Sequence, residues 1–462
     1  MPVFDSSTRR DAPEAAQQHP VRCVALPLFV AVVGFAVQQT AIVPAVRDVQ
    51  QSLHAAPEWS SWLVTVYLMV ATAATPALGR LGDLHGRRRV LLIGLATFAL
   101  ASAGAAAAPN LLVLRAVQGV GGSVYPLALA LARDALPDRL VARTISLLTA
   151  AFGLGTAAGF VGGGWVSQYW SWRAIFGIGA GLVLIGLVLT WWLLPDSGDR
   201  AAGSYDWLGT ILLATGAVSL LAGLTLVVSL GWLAPLTLIL LAVSIAASGW
   251  WLWHEQHSQD PLVDLHVLAR RQVIGANLSA IGLGWALFGS YLLIPKFAQA
   301  SGQHYGLGAS SFLTGVLLLP LALTQTLFAP LSGAATRLPG WLRSALGLLV
   351  LAAANVVLAL DRHSMTWLVV AAVLLGAGSG FGLQASSSTA TEAVADDVAA
   401  VSAAVNSTIR RLAGGIGGQV NSILLASLVI AAAQPAFAGF AWGFGVAAGI
   451  CLAGAAALTF VR

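Results

Sequence analysis

Apolar stretches about as long as a bilayer is thick recur along almost the whole of this 462-residue chain, and nothing else in it restricts the fold as much. A helix rises about 1.5 Å per residue, so about 20 residues cross a hydrocarbon core of about 30 Å. Cutting the sequence at Pro, Gly and charged clusters leaves fourteen such stretches, near 23–46, 60–80, 89–108, 110–132, 143–166, 172–194, 206–227, 231–253, 274–297, 309–332, 344–360, 366–386, 402–430 and 438–460. With 58% hydrophobic and 9% charged residues and a mean hydropathy of +0.84, the apolar faces have to meet lipid. The predicted fold is therefore an all-α integral membrane protein with 14 transmembrane helices, lying in the bilayer as a multi-pass chain.

The first apolar run, Val24 to Val46, is too long for the core of a signal peptide and reads as a retained spanning helix. Cys23 and Cys451 stand near opposite ends of the chain without a CxxC or Cys/His spacing, so neither a disulfide framework nor a metal site is expected. A net charge of +5 would point to nucleic acid in a soluble protein, but here the arginines follow membrane topology and no nucleic-acid partner is expected. With both termini cytoplasmic, sixteen arginines, among them Arg80, Arg87, Arg88, Arg89, Arg270 and Arg343, fall inside. Arg47, Arg173, Lys296 and Arg362 fall outside, and this split obeys the positive-inside bias.

Pro76, Gly79, Gly86 and Arg89 recur at a constant offset as Pro330, Gly333, Gly340 and Arg343. The second predicted helix then corresponds to the tenth, which implies two six-helix pseudo-repeats with two helices inserted between them. The expected divisions are a cytoplasmic tail over 1–22, an N-terminal six-helix bundle over 23–194, a linker with the two extra helices over 195–273, and a C-terminal bundle over 274–462. Within the linker, 254–273 alternates Pro261, Leu262, Leu265 and Leu268 with Asp264, His266, Arg270 and Arg271, the pattern of an interfacial amphipathic helix.

Arg115 lies about five residues inside an apolar span, where an arginine costs several kcal/mol unless it faces a polar cavity. Gln118, Gly122 and Tyr125 follow at helical spacing and are expected on its face; snorkelling to the outer surface is the alternative. Gly155, Gly159 and Gly163 make a smooth helical face for close packing, which a sliding or rocking contact can also use. Trp62, Thr65 and Met69 share one face of the second helix, available to substrate or to the core, with Tyr67 a further candidate. Of the sixteen tryptophans, most lie near predicted helix ends as interfacial anchors.

The loop Gly79-Arg80-Leu81-Gly82-Asp83-Leu84-His85-Gly86-Arg87-Arg88-Arg89 is the most specific motif. It resembles the cytoplasmic loop signature of the major facilitator superfamily, in which glycines permit a tight turn and charges form a relay. Carried onto this chain, the resemblance implies a relay of Asp83, Arg87 and Asp134, with Leu84 standing where the family usually has a base. The Arg115 stretch resembles the family's helix 4 motif, whose arginine is implicated in proton coupling. The glycine series resembles the antiporter motif, with Phe160 in place of its usual proline. The fragments Trp62 to Tyr67, Ser171 to Arg173, Asp206 to Gly209, Pro261 to Leu265 and Asn406 to Gly415 are similar to the fourteen-helix drug:proton antiporter branch of multidrug efflux type.

The resemblance implies export of small lipophilic compounds (drugs, antibiotics or metabolites) across the cell's inner membrane, driven by a proton gradient and without a cofactor. It departs at helix 1, where the branch typically has an aspartate and this chain has Gln38. None of the eighteen acids lies in the middle of a predicted span, so proton coupling is expected to use Asp134 or Asp83 with Arg115. A cavity holding Arg115 and the amides Gln38, Gln39, Gln118, Gln325 and Gln384, with Arg410 or Arg411 adding positive potential, should prefer neutral or anionic substrates. Primary transport is disfavoured, since the chain has no phosphate-binding GxxxxGK[ST] loop and only one lysine, Lys296. No Ser/His or His/Asp constellation stands within a span, so the chain is not expected to be an enzyme. Import or facilitation of one metabolite, or a non-transporting receptor or scaffold, remain open beside export. The internal repeat allows a monomer to form a complete pathway.

Overall fold

A computed structural model describes residues 21–54, 59–107, 111–196, 205–258, 268–300, 305–335, 337–360, 363–394, 396–430 and 434–461. The first part of the chain forms α1 (Val21–Thr40), α2 (Val46–Ser52), α3 (Trp59–His85), α4 (Arg87–Ala107), α5 (Leu111–Gln118), a 3₁₀ turn over Gly119–Ser123, α6 (Val124–Ala135), α7 (Asp138–Tyr169) and α8 (Trp172–Leu193). Then come α9 (Trp207–Leu230) and α10 (Pro235–His257). The last part forms α11 (Arg271–Gln299), α12 (Ser311–Ala334), α13 (Gly340–Leu360), α14 (Met365–Glu392), α15 (Asp396–Ser427) and α16 (Phe437–Phe460). The molecule is an all-α, multi-span membrane fold: among the described residues thirteen helices are long and apolar enough to cross a bilayer. The one long helix that is not among them is α15, whose 32 residues carry the buried polar side chains Ser402, Asn406, Gln419 and Asn421.

Several local expectations change. The span predicted over 110–132 is broken by the 3₁₀ turn, because its glycines let α3 approach at backbone distance. A Cβ on Gly119 would stand 2.5 Å from the Val70 Cβ and 2.8 Å from the Tyr67 carbonyl. The loop after α1 contains α2, and Val429–Ile430 pairs antiparallel with Gln434–Pro435 where the end of a span was expected. Residues up to His257 continue α10 rather than opening an amphipathic segment, most of which, over 259–267, lies outside the described residues. The tail over 1–20 lies outside them too.

Two packed groups emerge. In α1–α8, α1 lies between α7 and α8, and α4 packs on α8. In α11–α16, α14 packs between α12 and α13, while α11 packs on α15 and α16. They meet along two seams, α7 with α12 and α3 with α15, and α9 and α10 form a hairpin laid against α3 and α15. One apolar cluster stays within the first group around Phe35, Phe98 and Leu148. The other runs from Phe160 and Phe176 into Leu318, Leu321 and Leu348, so burial continues across the α7–α12 seam.

The glycines of α7 serve two contacts. Gly155, Gly159 and Gly163 lie on α1: a Cβ on each would stand 2.7 Å from the Ala36 Cβ, 2.1 Å from the Thr40 Oγ1 and 2.1 Å from the Ala41 carbonyl oxygen. The seam with α12 uses the neighbouring face. There a Cβ on Gly164 would stand 2.3 Å from the Ser311 carbonyl oxygen, and one on Gly315 would stand 2.2 Å from that of Phe160. Phe160 is fully buried with its ring edge-on to Tyr291, so the residue standing for the usual proline fills the interface.

Candidate functional site

The turn between α3 and α4 is made by Gly86, whose φ of +102° suits a residue without a Cβ. It brings Arg87 back over the last turn of α3. Arg87 Nε donates to Asp83 Oδ1 at 2.8 Å, and Nη1 donates to both Asp134 oxygens, at 2.6 and 2.7 Å. The three expected relay residues therefore form one cluster joining α3, α4 and α6. Their side chains keep about a quarter to a third of their exposure, at 24%, 28% and 33%, so the clamp orients the helices more than it stabilises them. A second clamp that sequence reasoning missed lies beside it, with Arg88 donating to Asp196 at 2.9 Å and to the Trp191 carbonyl at 2.6 Å.

Arg115 is 2% exposed, which rules out snorkelling. Its Nε donates to the Leu63 carbonyl at 3.1 Å and its Nη1 to Gln118 Oε1 at 2.9 Å, while the guanidinium lies 4.6 Å from the centre of the Tyr67 ring. Gln118 Nε2 passes the network on to Ser102 Oγ at 2.8 Å. This cluster of α3, α4 and α5 is internal to the first group, so Arg115 sits behind Tyr67 and does not line an open cavity.

Tyr125 does not share the Arg115 face. Five residues of 3₁₀ turn advance about 20° more per residue than an α-helix, so everything after Gln118 is rotated by about 100°. Tyr125 consequently faces α7, with its phenol 3.1 Å from Thr149 Oγ1 and its ring 5.0 Å from that of Phe152.

The α3–α15 seam is held by side chains that sequence reasoning weighted lightly or missed. Arg411 Nη2 donates to the Gly122 carbonyl at 2.9 Å, and Nη1 donates to the Ala71 carbonyl at 3.3 Å and to Thr75 Oγ1. Further along the seam Gln419 Nε2 donates to Thr65 Oγ1. Arg410, like Arg411 an expected contributor of positive potential, bonds among the described residues only within its own helix, to Asn406 Oδ1 at 3.5 Å and Ser407 Oγ at 3.3 Å. Arg115 and Arg411 are thus fixed by neutral acceptors, and Arg410 is the more loosely held. The usable signal was the run of polar residues along α15: a helix this polar packed among apolar ones has to turn its polar face to protein.

The remaining candidates disperse. Gln38 is 1% exposed under the α8 backbone, and neither of its amide atoms has a hydrogen-bond partner. A Cβ on Gly179 would stand 1.5 Å from its Oε1, so Gln38 is sealed within α1 and α8, and Gln39 Oε1 is likewise buried and unpartnered. Thr65, Tyr67 and Met69 are buried and Trp62 is half-buried. Gln325 is half-buried on α12, with its backbone against Gly380, and Gln384 is exposed on α14. Asp206, in a fragment singled out for resemblance, caps α9 by accepting from the Gly209 N–H at 2.8 Å and also bonds His254 Nε2 at 2.9 Å.

At the end of the bundle opposite the Asp83–Arg87 clamp, a polar cluster joins the two groups. Asp48 Oδ2 accepts from Ser167 Oγ of α7 and from Ser311 Oγ of α12, each at 2.6 Å. Gln299 Nε2 donates to the Pro44 carbonyl at 2.7 Å, Arg47 Nη1 donates to the Gln299 carbonyl, and the Phe312 N–H donates to Gln168 Oε1 at 3.0 Å. In the adjoining loop Tyr305 donates to the Pro435 carbonyl at 2.6 Å, and burial pushes its phenol above the usual range. Asp48 falls between the first two predicted spans and is not among the candidates read from the sequence.

Comparison with known proteins agrees with this architecture. The Major Facilitator Superfamily profile matches residues 28–418. The "Multidrug resistance protein B homolog" of Mycobacterium tuberculosis is 29% identical over 79% of this chain and 69% of its own length. The "Puromycin resistance protein pur8" of Streptomyces alboniger is 31% identical over 81% of this chain and 75% of its own. Among solved structures, the crystal structure of the peptide transporter POT in complex with sulfate superposes with a TM-score of 0.70 at 16% identity, covering 96% of this chain and 94% of that one, a likeness of fold. With seams, clamp and profile in agreement over most of its length, the chain belongs to the major facilitator superfamily and is a multi-pass membrane transporter rather than an enzyme.

Proposed function

We propose that this chain is a secondary active exporter of small lipophilic compounds, a fourteen-helix drug:proton antiporter working by alternating access as a monomer. The observation that carries the reading is the α3–α15 seam, where Arg410 and Arg411 stand with Tyr125 and Thr149 nearby and, among the described residues, no carboxylate bonds either arginine. An intramembrane arginine without an anion is a functional residue by default. In this reading α15 is the fourteenth span, since its 32 residues measure about 48 Å, and α9 and α10 are the inserted pair. The Asp83–Arg87–Asp134 end with both termini is cytoplasmic, and the Asp48 end is outside.

The six helices on either side of the inserted pair rock about the two seams. The relay holds one arrangement until a proton reaching Asp83 or Asp134 releases Arg87. Arg115 supports the response by fixing α5 against α3. Substrate enters the seam beside Arg410, Tyr125, Gln325 and Thr65, where positive potential favours neutral or anionic molecules over lipophilic cations. The names of the relatives, resistance proteins for several drugs and for puromycin, support export of antibiotic-like compounds.

Everted membrane vesicles test this. Cationic, neutral and anionic lipophilic probes are offered with and without an imposed pH gradient, for wild type, Arg410→Gln and Arg115→Ala. Gradient-driven uptake of neutral or anionic probes that falls in Arg410→Gln supports the reading. Uptake confined to cations, or indifferent to the gradient, overturns the charge preference or the coupling respectively.

A further inference from the structure

We propose that Asp48 is a proton-sensitive latch of the outer gate: its carboxylate ties the tips of α7 and α12 together, and protonation from the outside lets them part. One oxygen, Oδ2, accepts both serine hydroxyls at 2.6 Å, within the range of O–H···O⁻ bonds to an ionised acid. These bonds belong to different helix groups, Ser167 to the first and Ser311 to the second, so the acid bridges the parts that must separate when the gate opens. The other oxygen, Oδ1, has no hydrogen-bond partner among the described residues and is the place for an arriving proton.

The position multiplies the effect. Ser311 lies where the two backbones approach closely, beside Gly164, and the seam continues inward through Phe160 against Gly315 and Gly153 against Thr326. A seam whose backbones approach this closely has little give, so it is either seated or parted. Neutralising Asp48 turns two charge-assisted bonds into neutral ones of roughly half the strength at the tip of that seam.

The charged and titratable groups around it are Arg47 and His54 on or beside α2, Tyr169 on α7, Arg173 on α8, Lys296 on α11 and Tyr305 in the adjoining loop. Arg47 is turned to the Gln299 carbonyl, Arg173 lies 4.2 Å from the Trp172 ring, and Tyr169 packs on Trp165 and Phe312. Asp48 is the one acid at this end among the described residues, and protonating it removes a negative charge from a face that also carries Arg47 and Arg173. The latch rests on the alternating-access reading and on its orientation, but not on proton coupling.

The test uses the full-length protein in nanodiscs, with Cys23→Ser and Cys451→Ala, and spin labels on Trp170→Cys at the end of α7 and Met365→Cys at the start of α14. The Trp170–Met365 distance is expected to lengthen in wild type when the medium is taken from near-neutral to acidic pH. Asp48→Asn is expected to give the long distance at both pH values, and Ser311→Ala to give part of the lengthening near neutral pH. A second label pair within the first group, at His54 and Trp170, should stay constant and reports correct folding. A distance independent of pH in wild type, or a pH response retained in Asp48→Asn, overturns the latch. Vesicle uptake indifferent to a pH gradient, alongside a pH-dependent distance, would instead remove the coupling mechanism and leave the latch standing.

Discussion

Arg411 of α15 donates to the carbonyl of Gly122 at 2.9 Å, and so binds a helix of the second group to the 3₁₀ turn that interrupts the fourth span. Gly122 can present that carbonyl because it has no side chain: a Cβ there would stand 2.8 Å from the Ala71 Cβ and 3.3 Å from Arg411 Nη1. The break in the helix and the arginine are parts of one device, with the turn supplying an acceptor inside the seam and the arginine filling it.

Removing the arginine should therefore impair transport more than folding. Each hydrogen bond to a charged group contributes about 1.5–3 kcal/mol, and about 1.4 kcal/mol is a tenfold change. Arg411→Ala is expected to lower the transport rate by at least about tenfold. Arg411→Lys keeps the charge without the planar fork and should recover only part of it. Equal rates for Ala and wild type would mean that the seam bond is idle during the cycle.

The relay should show the opposite balance to a buried pair. Because Asp83, Arg87 and Asp134 are each about a quarter to a third exposed, Asp134→Asn is expected to change thermal stability by less than about 1 kcal/mol. Gradient-driven uptake should nevertheless fall severalfold, since Arg87 then loses its bidentate partner. Melting curves and vesicle uptake on the same preparation separate the two effects.

Arg115 is expected to behave as a structural residue. Arg115→Ala leaves Gln118 Oε1 without its donor, and an unsatisfied buried group costs about 1–3 kcal/mol. The variant should melt at a clearly lower temperature in detergent. Combining it with Gln118→Leu should cost less than the sum of the two, because the second change removes the stranded acceptor. A normal melting temperature with an altered apparent affinity would return Arg115 to the substrate path.

Much of the architecture was legible because hydropathy and length are local properties: thirteen of the fourteen predicted stretches fall on helices apolar enough to span. The clamp was legible too, since glycines at a turn fix Asp83 and Arg87 close in sequence, with Asp134 carried over from the family. What was not legible depended on rotation and on distant partners. Nothing near Tyr125 in sequence announces a 3₁₀ turn, which exists because Gly119 meets the backbone of α3. Gln38 reads as a cavity amide until α8 is laid across it at Gly179, and Asp48 reads as a loop acid until Ser167 and Ser311 arrive from 119 and 263 residues away.

The glycines of α7 offer a sharp contrast between neighbouring positions. A Cβ on Gly163 would stand 2.1 Å from the Ala41 carbonyl oxygen and 2.6 Å from its carbonyl carbon, and backbone cannot swing aside as a side chain can. Gly163→Ala must push α1 off α7, an overpacking that typically costs about 1–3 kcal/mol and here also disturbs the Asp48 end, which continues from α1 through Pro44. Gly162 has nothing within 4 Å of its Cβ position, so Gly162→Ala should be neutral or stabilising by up to about 1 kcal/mol through helix propensity. Expression level and melting temperature of the two variants, one residue apart, decide the matter. Similar losses in both would mean that the face toward α1 is not the tight one, and similar tolerance would mean that α1 and α7 have room to slide.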